Sequence, residues 1–256
     1  MDLELRGRVA IVCASSKGIG RAAAEALGRE GVRLALCARD ETVLHATATE
    51  LQHQMGTEVL AVPADLRKEE DINRLMRETL ARFGRLDILI NNTGGPPPGP
   101  FEAHDDAAWQ AAFEALLLSV VRLTRLAIPE MRKRGWGRIV NVTSTAVKQP
   151  IPNLILSNSL RAAVVGIAKT LSAELAPDGI TVNNVAPGRI LTDRLASLYG
   201  GDWETARQEA GRDVPMRHVG EASDMGNAIL FLCSQQAGYI TGVTLPIDGG
   251  IVQSIL

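Results

Sequence analysis

Val9-Ala10-Ile11-Val12-Cys13-Ala14-Ser15-Ser16-Lys17-Gly18-Ile19-Gly20 reads as a short apolar strand running into a loop of small residues, with the helical stretch Arg21–Gly28 directly behind it. Small residues let the backbone turn tightly and approach a pyrophosphate, which rests on the open N–H groups of the helix start. The placement between a strand and a helix is what carries the reading. Working outward, the same alternation continues. Strand-like runs are Val9–Ala14, Leu34–Ala38, Glu58–Val62, Ile88–Asn91, Arg138–Thr143, Thr181–Ala186 and Val243–Ile247. Helix-like segments fall between them, at Ile19–Glu30, Glu41–Gln54, Glu69–Phe83, Ala107–Arg134, Leu156–Leu175 and Glu221–Leu232. Strands alternating with helices predict right-handed βαβ units and a doubly wound α/β fold of about seven mainly parallel strands flanked by helices. No repeat or linker divides the chain, so residues 1–256 are expected to form a single dinucleotide-binding domain.

Two segments escape the alternation. Gly94-Gly95-Pro96-Pro97-Pro98-Gly99-Pro100 suits neither helix nor central strand, and it follows a strand end, where ligands bind in open α/β sheets. Leu191–His218 is a polar helical insertion that reads either as a substrate lid or as a surface helix pair.

Composition narrows the class. Hydrophobic content of 46% and charged content of 22% are ordinary for a soluble protein. A net charge of -2 provides no field for nucleic acid. Met1–Arg8 has no apolar core and no run of apolar residues is long enough to span a bilayer, so neither signal peptide nor membrane helix is expected and a cytoplasmic location is. Cys13, Cys37 and Cys233 form no paired motif and are expected reduced and buried. The four histidines lack ligand spacing, so no metal site is expected.

The second strand ends in Ala38-Arg39-Asp40. An acidic residue there would hold the ribose hydroxyls of NAD, whereas an arginine accommodates a 2′-phosphate. Arg39, with Lys17 in the glycine loop, favours NADP(H) over NAD(H), and Asp40 has an alternative use as the cap of the next helix.

Further along stand Asp65-Leu66 after the third strand, Asn91-Asn92-Thr93-Gly94, Pro187-Gly188-Arg189-Ile190-Leu191-Thr192, Tyr239-Ile240-Thr241-Gly242 and Asp248-Gly249-Gly250. With the glycine loop, these resemble the short-chain dehydrogenase/reductase family, nearest its 3-oxoacyl-carrier-protein reductase-like branch, over Leu5–Ile251. In the family's Gly-x-x-x-Gly-x-Gly pattern Ala14 takes the first glycine position, a turn that alanine tolerates only while φ stays negative. The resemblance implies cofactor contacts at Ala14, Ser16, Lys17, Gly18, Ile19, Gly20, Arg39, Asp65, Leu66, Asn92, Gly94, Arg161, Pro187, Gly188, Ile190 and Thr192. Asp65 would meet the adenine, or cap the next helix; Ile190 and Thr192 would meet the carboxamide. The resemblance also implies a small-molecule substrate and a homodimer or homotetramer built through Ala107–Arg134 and the helix from Leu156, both apolar nearly all round.

The resemblance breaks at the chemistry. The family uses a serine, a tyrosine acid, a lysine four residues on and an asparagine from the preceding long helix. Here Ser144 is kept, Ser157 stands for the tyrosine, Arg161 for the lysine and Leu116 for the asparagine. Serine lacks the reach of a phenol and its pKa of about 10. Arginine keeps the charge and can hold ribose hydroxyls, but releases no proton near neutral pH. Water, Lys148 or Tyr199 would then supply the proton, with His104 and His218 further off. A lost general acid is worth ~10²–10⁴ in rate, and three readings stay open. They are an NADP(H)-dependent oxidoreductase acting on a carbonyl or alcohol with an altered site, a catalytically degenerate nucleotide-binding or scaffold protein, and a non-redox lyase on the same scaffold.

Overall fold

Val9–Cys13 (β1) contains no polar side chain and is buried along its whole length, as a strand must be when helices cover both faces of its sheet. It pairs in parallel with β2 (Arg33–Ala38) on one side and β4 (Ile88–Asn91) on the other. The remaining strands are β3 (Val59–Pro63), β5 (Gly137–Val142), β6 (Ile180–Pro187) and β7 (Thr244–Ile247). They make one seven-stranded parallel sheet in the order β3-β2-β1-β4-β5-β6-β7. The computed structural model describes residues 2–255. Every strand lies within one residue of its sequence-based bounds.

Alternate residues of each strand feed two cores. Ala10, Val12, Leu34, Leu36, Ile88 and Ile90 face one layer, formed by α1 (Gly18–Arg29), α2 (Glu41–Met55) and α9 (Ala222–Cys233). Val9, Ile11, Ala35, Leu89, Ile139 and Val182 face the other, formed by α3 (Glu69–Phe83), α5 (Ser119–Arg132) and α6 (Ile155–Leu175). Helix ends follow local rules. Asp40 accepts from the Val43 N–H and starts α2, three acids open α3, and Gly56 and Gly84 end these helices in the left-handed region. The three cysteines are free and buried; Cys13 and Cys37 are register partners on β1 and β2, and burial pushes the Cys233 thiol up to about 12. No helix among the described residues is long and apolar enough to cross a membrane.

One expected element is different. Ala107–Arg134 reads as a single helix, but the chain forms α4 (Asp106–Phe113), a π-helical segment at Glu114–Leu118, and α5. Leu116 lies buried at the middle of the π segment, and Ser119 Oγ donates to the Ala115 carbonyl at 2.6 Å. Apolar periodicity reports a helical face and does not report one widened turn within it, which is where the reading fell short.

Beneath the strand ends runs a polar ladder that the pattern of apolar residues conceals. Asn91, Asn141, Asn184 and Thr244 are register partners across four strands. Asn91 Nδ2 donates to Asn141 Oδ1 (2.8 Å), Asn141 Nδ2 to Asn184 Oδ1 (2.9 Å) and Asn184 Nδ2 to Thr244 Oγ1 (3.1 Å). Such buried groups specify register because a slip would orphan them. Asn141→Leu, similar in size, leaves the Asn184 oxygen unpaired, whereas Asn91 keeps Thr124 at 3.3 Å. The expected loss is about 2 kcal/mol in urea unfolding; no loss would mean the ladder is incidental.

Candidate active site

All seven strands run the same way, so their C-terminal ends share one edge, and that edge gathers the residues singled out in the sequence. At the end of β1, Ala14 has φ +48°. This overturns the expectation of a negative φ. The cause is close packing: a Cβ on Gly20 would lie 2.2 Å from the Ala14 carbonyl oxygen, so loop and helix are already in contact. Alanine in this region costs about 1–2 kcal/mol. Gly18 is also left-handed, at φ +57°. Helix α1 follows Lys17, which makes no side-chain cap, and has no acid in its first turn. Its first N–H groups are therefore open to an anion. The Thr47 hydroxyl donates to the Ser16 carbonyl (3.0 Å) and pins the loop, and Ile19 packs on the core.

At the end of β2, Asp40 is committed to capping α2, and Arg39 is exposed with no ion pair among the described residues. Lys17 is not free: its Nζ lies 2.7 Å from Asp193. The case for a 2′-phosphate therefore rests on Arg39. Asp65 pairs with Arg67 at 2.6 Å; hydrogen bonding to Arg67 holds its carboxyl below the usual range, and the Arg39 charge adds to this. Leu66 is half-buried beside it. After β4, the Asn92 N–H donates to the Cys13 thiol, and Gly94 borders open space. After β6, Gly188 packs so tightly that a Cβ would meet Asp248 at 2.7 Å, and Ile190 is buried. Thr192 caps α7 (Asp193–Ser197), and its methyl would lie 3.5 Å from a Cβ on Gly18. The segment after Pro187 thus closes against the glycine loop. An uncapped helix start, a left-handed Gly18 with Gly20 pressed on the loop backbone, and an exposed arginine at the end of β2 fit a phosphorylated dinucleotide.

The chemical residues meet at the end of β5. Ser144 starts a short 3₁₀ turn, and its Oγ accepts from the Ala146 N–H at 3.1 Å. That uses a lone pair and leaves the hydroxyl hydrogen free. Arg161 on α6 donates from Nη1 to the Val142 carbonyl (2.7 Å), two residues before Ser144. Ser157 lies one turn earlier on the same buried face. Lys148 ends the 3₁₀ turn and is half-buried. Tyr199 is held elsewhere: it packs on a small separate core of Leu191, Leu195, Ala196, Ala206, Ala210 and Val219, formed by α7 and α8 (Trp203–Arg212). Of the proton sources named from the sequence, Lys148 follows Ser144 by four residues and Tyr199 packs on the α7–α8 core.

The electrostatics centre on Arg161. It is 8% exposed and has no carboxylate partner among the described residues. Burial, reinforced by the like charge of Arg194, pushes it down to about 10. It stays a cation at neutral pH, at a cost. Arg194, on α7, escaped the sequence reading because nothing local distinguishes it. Its Nη2 donates to the Pro96 carbonyl at 3.2 Å, spanning the mouth of the cleft.

A doubly wound parallel sheet, a small-residue loop at its first strand end and a serine beside a buried cation at its fifth define a nucleotide-binding α/β scaffold. The chain belongs to the short-chain dehydrogenase/reductase family: residues 13–252 match the family model described as Enoyl-(Acyl carrier protein) reductase. It is 32% identical over 254 residues to a 7alpha-hydroxysteroid dehydrogenase of Escherichia coli, covering 99% of this chain and 98% of the relative. It is 35% identical over 252 residues to a 3-oxoacyl-(acyl-carrier-protein) reductase of Haemophilus influenzae, covering 98% and 100%. Among solved structures it is similar to L-sorbose reductase from Gluconobacter frateurii complexed with NADPH and L-sorbose, with a TM-score of 0.94, 33% identity and full coverage of both chains.

Two stability outcomes follow from this geometry. Ala14→Gly relieves the left-handed strain and should raise Tm by roughly 2–4 °C, about 1 kcal/mol; an unchanged Tm would show the loop to be unstrained. For Arg161 the folded pKa of about 10 lies below the free value of 12.5. The charged form is therefore penalised in the fold at every pH below about 10, and the penalty fades as pH rises toward 12.5. A shift of that size is worth at most about 3 kcal/mol, against about 1 for the lost hydrogen bond. Arg161→Met should thus stabilise the protein by about 1–2 kcal/mol at pH 7, measured by urea unfolding; a destabilised variant would mean the cation is compensated.

Proposed function

We propose that the protein is an NADP(H)-dependent oxidoreductase acting on a carbonyl or alcohol, with an altered catalytic site. The observation that carries this reading is the free hydroxyl hydrogen of Ser144 beside the unneutralised Arg161 guanidinium. A bound nicotinamide nucleotide supplies hydride chemistry; the protein's task is to bind the substrate oxygen and stabilise its negative charge. Ser144 donates to that oxygen. Arg161 holds the ribose hydroxyls with the N–H groups not used on Val142 and sets a fixed positive charge beside the developing oxyanion. Ser157 is too short to act as the tyrosine, and leaves the phenol's volume to a water that delivers the proton, with Lys148 as the nearest ionisable source. Tyr199, packed in its own small core, takes no part.

Selectivity for NADP(H) rests on Arg39, which receives the 2′-phosphate. Leu191–His218 is a substrate lid within a single domain, fastened at Lys17–Asp193 and Arg194–Pro96. The small exposed residues Ala162, Ala163 and Gly166 on α6 suit close approach of a second copy, so the working form is a homodimer or homotetramer.

The test follows NADPH and NADH oxidation over a panel of ketones, enones and ketoacyl thioesters. Ser144→Ala should lower kcat/KM at least ~10²-fold with cofactor affinity unchanged. Arg39→Ala should weaken NADPH binding ~10-fold and leave NADH alone. Silence of the wild-type protein, with turnover appearing in the Ser157→Tyr, Arg161→Lys double variant, would replace this reading by a nucleotide-binding role without catalysis.

A further inference from the structure

The charge balance of the cleft is incomplete. Half of the 22 arginines find an acid among the described residues: Arg21 pairs with Glu25 and Glu50, Arg74 with Asp71, Arg85 with Asp87, Arg132 with Asp178 and Arg207 with Glu221. Arg138 is buried without an acid, but it stacks on Trp136 and donates to the Gly137, Gly179 and Ser234 carbonyls. Arg161 and Arg194 pair with none among the described residues, though each side chain is held in place by a backbone carbonyl, Val142 and Pro96 respectively. The Arg194 guanidinium lies 3.3–3.5 Å from where a Cβ on Gly95 would stand, so it rests on the glycine of the loop that walls the cleft. The phosphates of a dinucleotide do not correct the imbalance. They belong at the start of α1, at the end of β1, whereas Arg161 serves the end of β5, two strands or about 10 Å away. Neither guanidinium has a counter-ion of the protein's own among the described residues, and a substrate anion would supply one.

Resting on the oxidoreductase reading above, we infer that the substrate is an oxo-carboxylate, whose carboxylate is gripped by Arg194 of the lid over Arg161 while its carbonyl lies on Ser144. Planar guanidinium forks match a carboxylate in geometry as well as charge. The rest of the substrate meets an apolar flank. An open cleft of about 370 Å³ lies at the first turn of α6; Pro100, Phe101, Pro150, Ile151, Pro152 and Ile155 make its apolar lining, with Asn153 and Asn158 as its polar members. Phe101 is 69% exposed there without a covering partner. An anionic head with an apolar body suits both walls. It also accounts for the missing phenol: with a carboxylate fixed by arginine, the carbonyl is oriented without a tyrosine, and the fixed cation bears the oxyanion until water protonates it.

The test uses three acids of graded size, pyruvate, benzoylformate and 4-phenyl-2-oxobutanoate, each beside its methyl ester. Binding to the full-length protein is measured by calorimetry with and without NADPH, and turnover by NADPH oxidation. The acid that fits should bind at least tenfold more tightly than its ester. Arg194→Gln should lose that acid-to-ester margin, which is read as a ratio so that a loosened lid weakens both ligands alike and cancels, and should be partly rescued by Arg194→Lys. If no acid binds more tightly than its ester, or if Arg194→Gln binds acid as well as wild type, the inference is overturned. Acid binding that depends on Arg194 without NADPH consumption would uphold the carboxylate grip and sink the oxidoreductase reading; equal turnover of acid and ester would do the reverse.

Discussion

Parallel pairing of β1 with both β2 and β4 is the constraint on which the rest of this molecule depends. It forces the chain to wind one way for three strands and the other way for four. The loops after β1 and β4 therefore leave in opposite directions and open a crevice at the carboxyl edge. Every residue with a proposed part in binding reaches that crevice from a strand end or from the first turns of the helix beyond it. The asparagine ladder just below keeps the four strands from β4 to β7 in register, so the crevice inherits its geometry from a buried polar seam as well as from apolar packing.

Two local strains mark the edge as a site rather than a rim. Ala14 is held left-handed by its contact with Gly20. Arg161 is held charged in a buried place with no acid paired to it among the described residues. Packing alone explains neither: a left-handed alanine and a desolvated guanidinium each cost free energy. Perturbed groups of this kind concentrate where a ligand completes the structure. A π-helical segment surrounds the buried Leu116, and Ser157 and Arg161 share the buried face of α6.

Much of this was legible in the order of residues. Strand alternation and small-residue turns located β4 and α3 to the residue and the other strands within one, because period-two burial and caps are local properties. Asp40 as a cap was equally local. The gathering of Ala14, Arg39, Asp65, Asn92, Ser144 and Thr192 at one edge followed from parallel topology, itself implied by the alternation.

Other features could not be read that way. Whether Ala14 turns left-handed depends on a helix backbone pressing on it. Whether Lys17 is free depends on Asp193, brought to it by the loop after β6. Whether Tyr199 can reach the cleft depends on a small core that holds it in place. Whether Arg161 has a counter-ion depends on which side chains surround it, and the answer includes Arg194 from a distant helix. The sequence by itself determined the scaffold and the edge at which the motif residues gather, since these rest on periodicity, spacing and residue type. The tertiary structure alone decided the sign and balance of charge inside the cleft, because electrostatic energy is set by distance and burial, and neither is a property of neighbours along the chain.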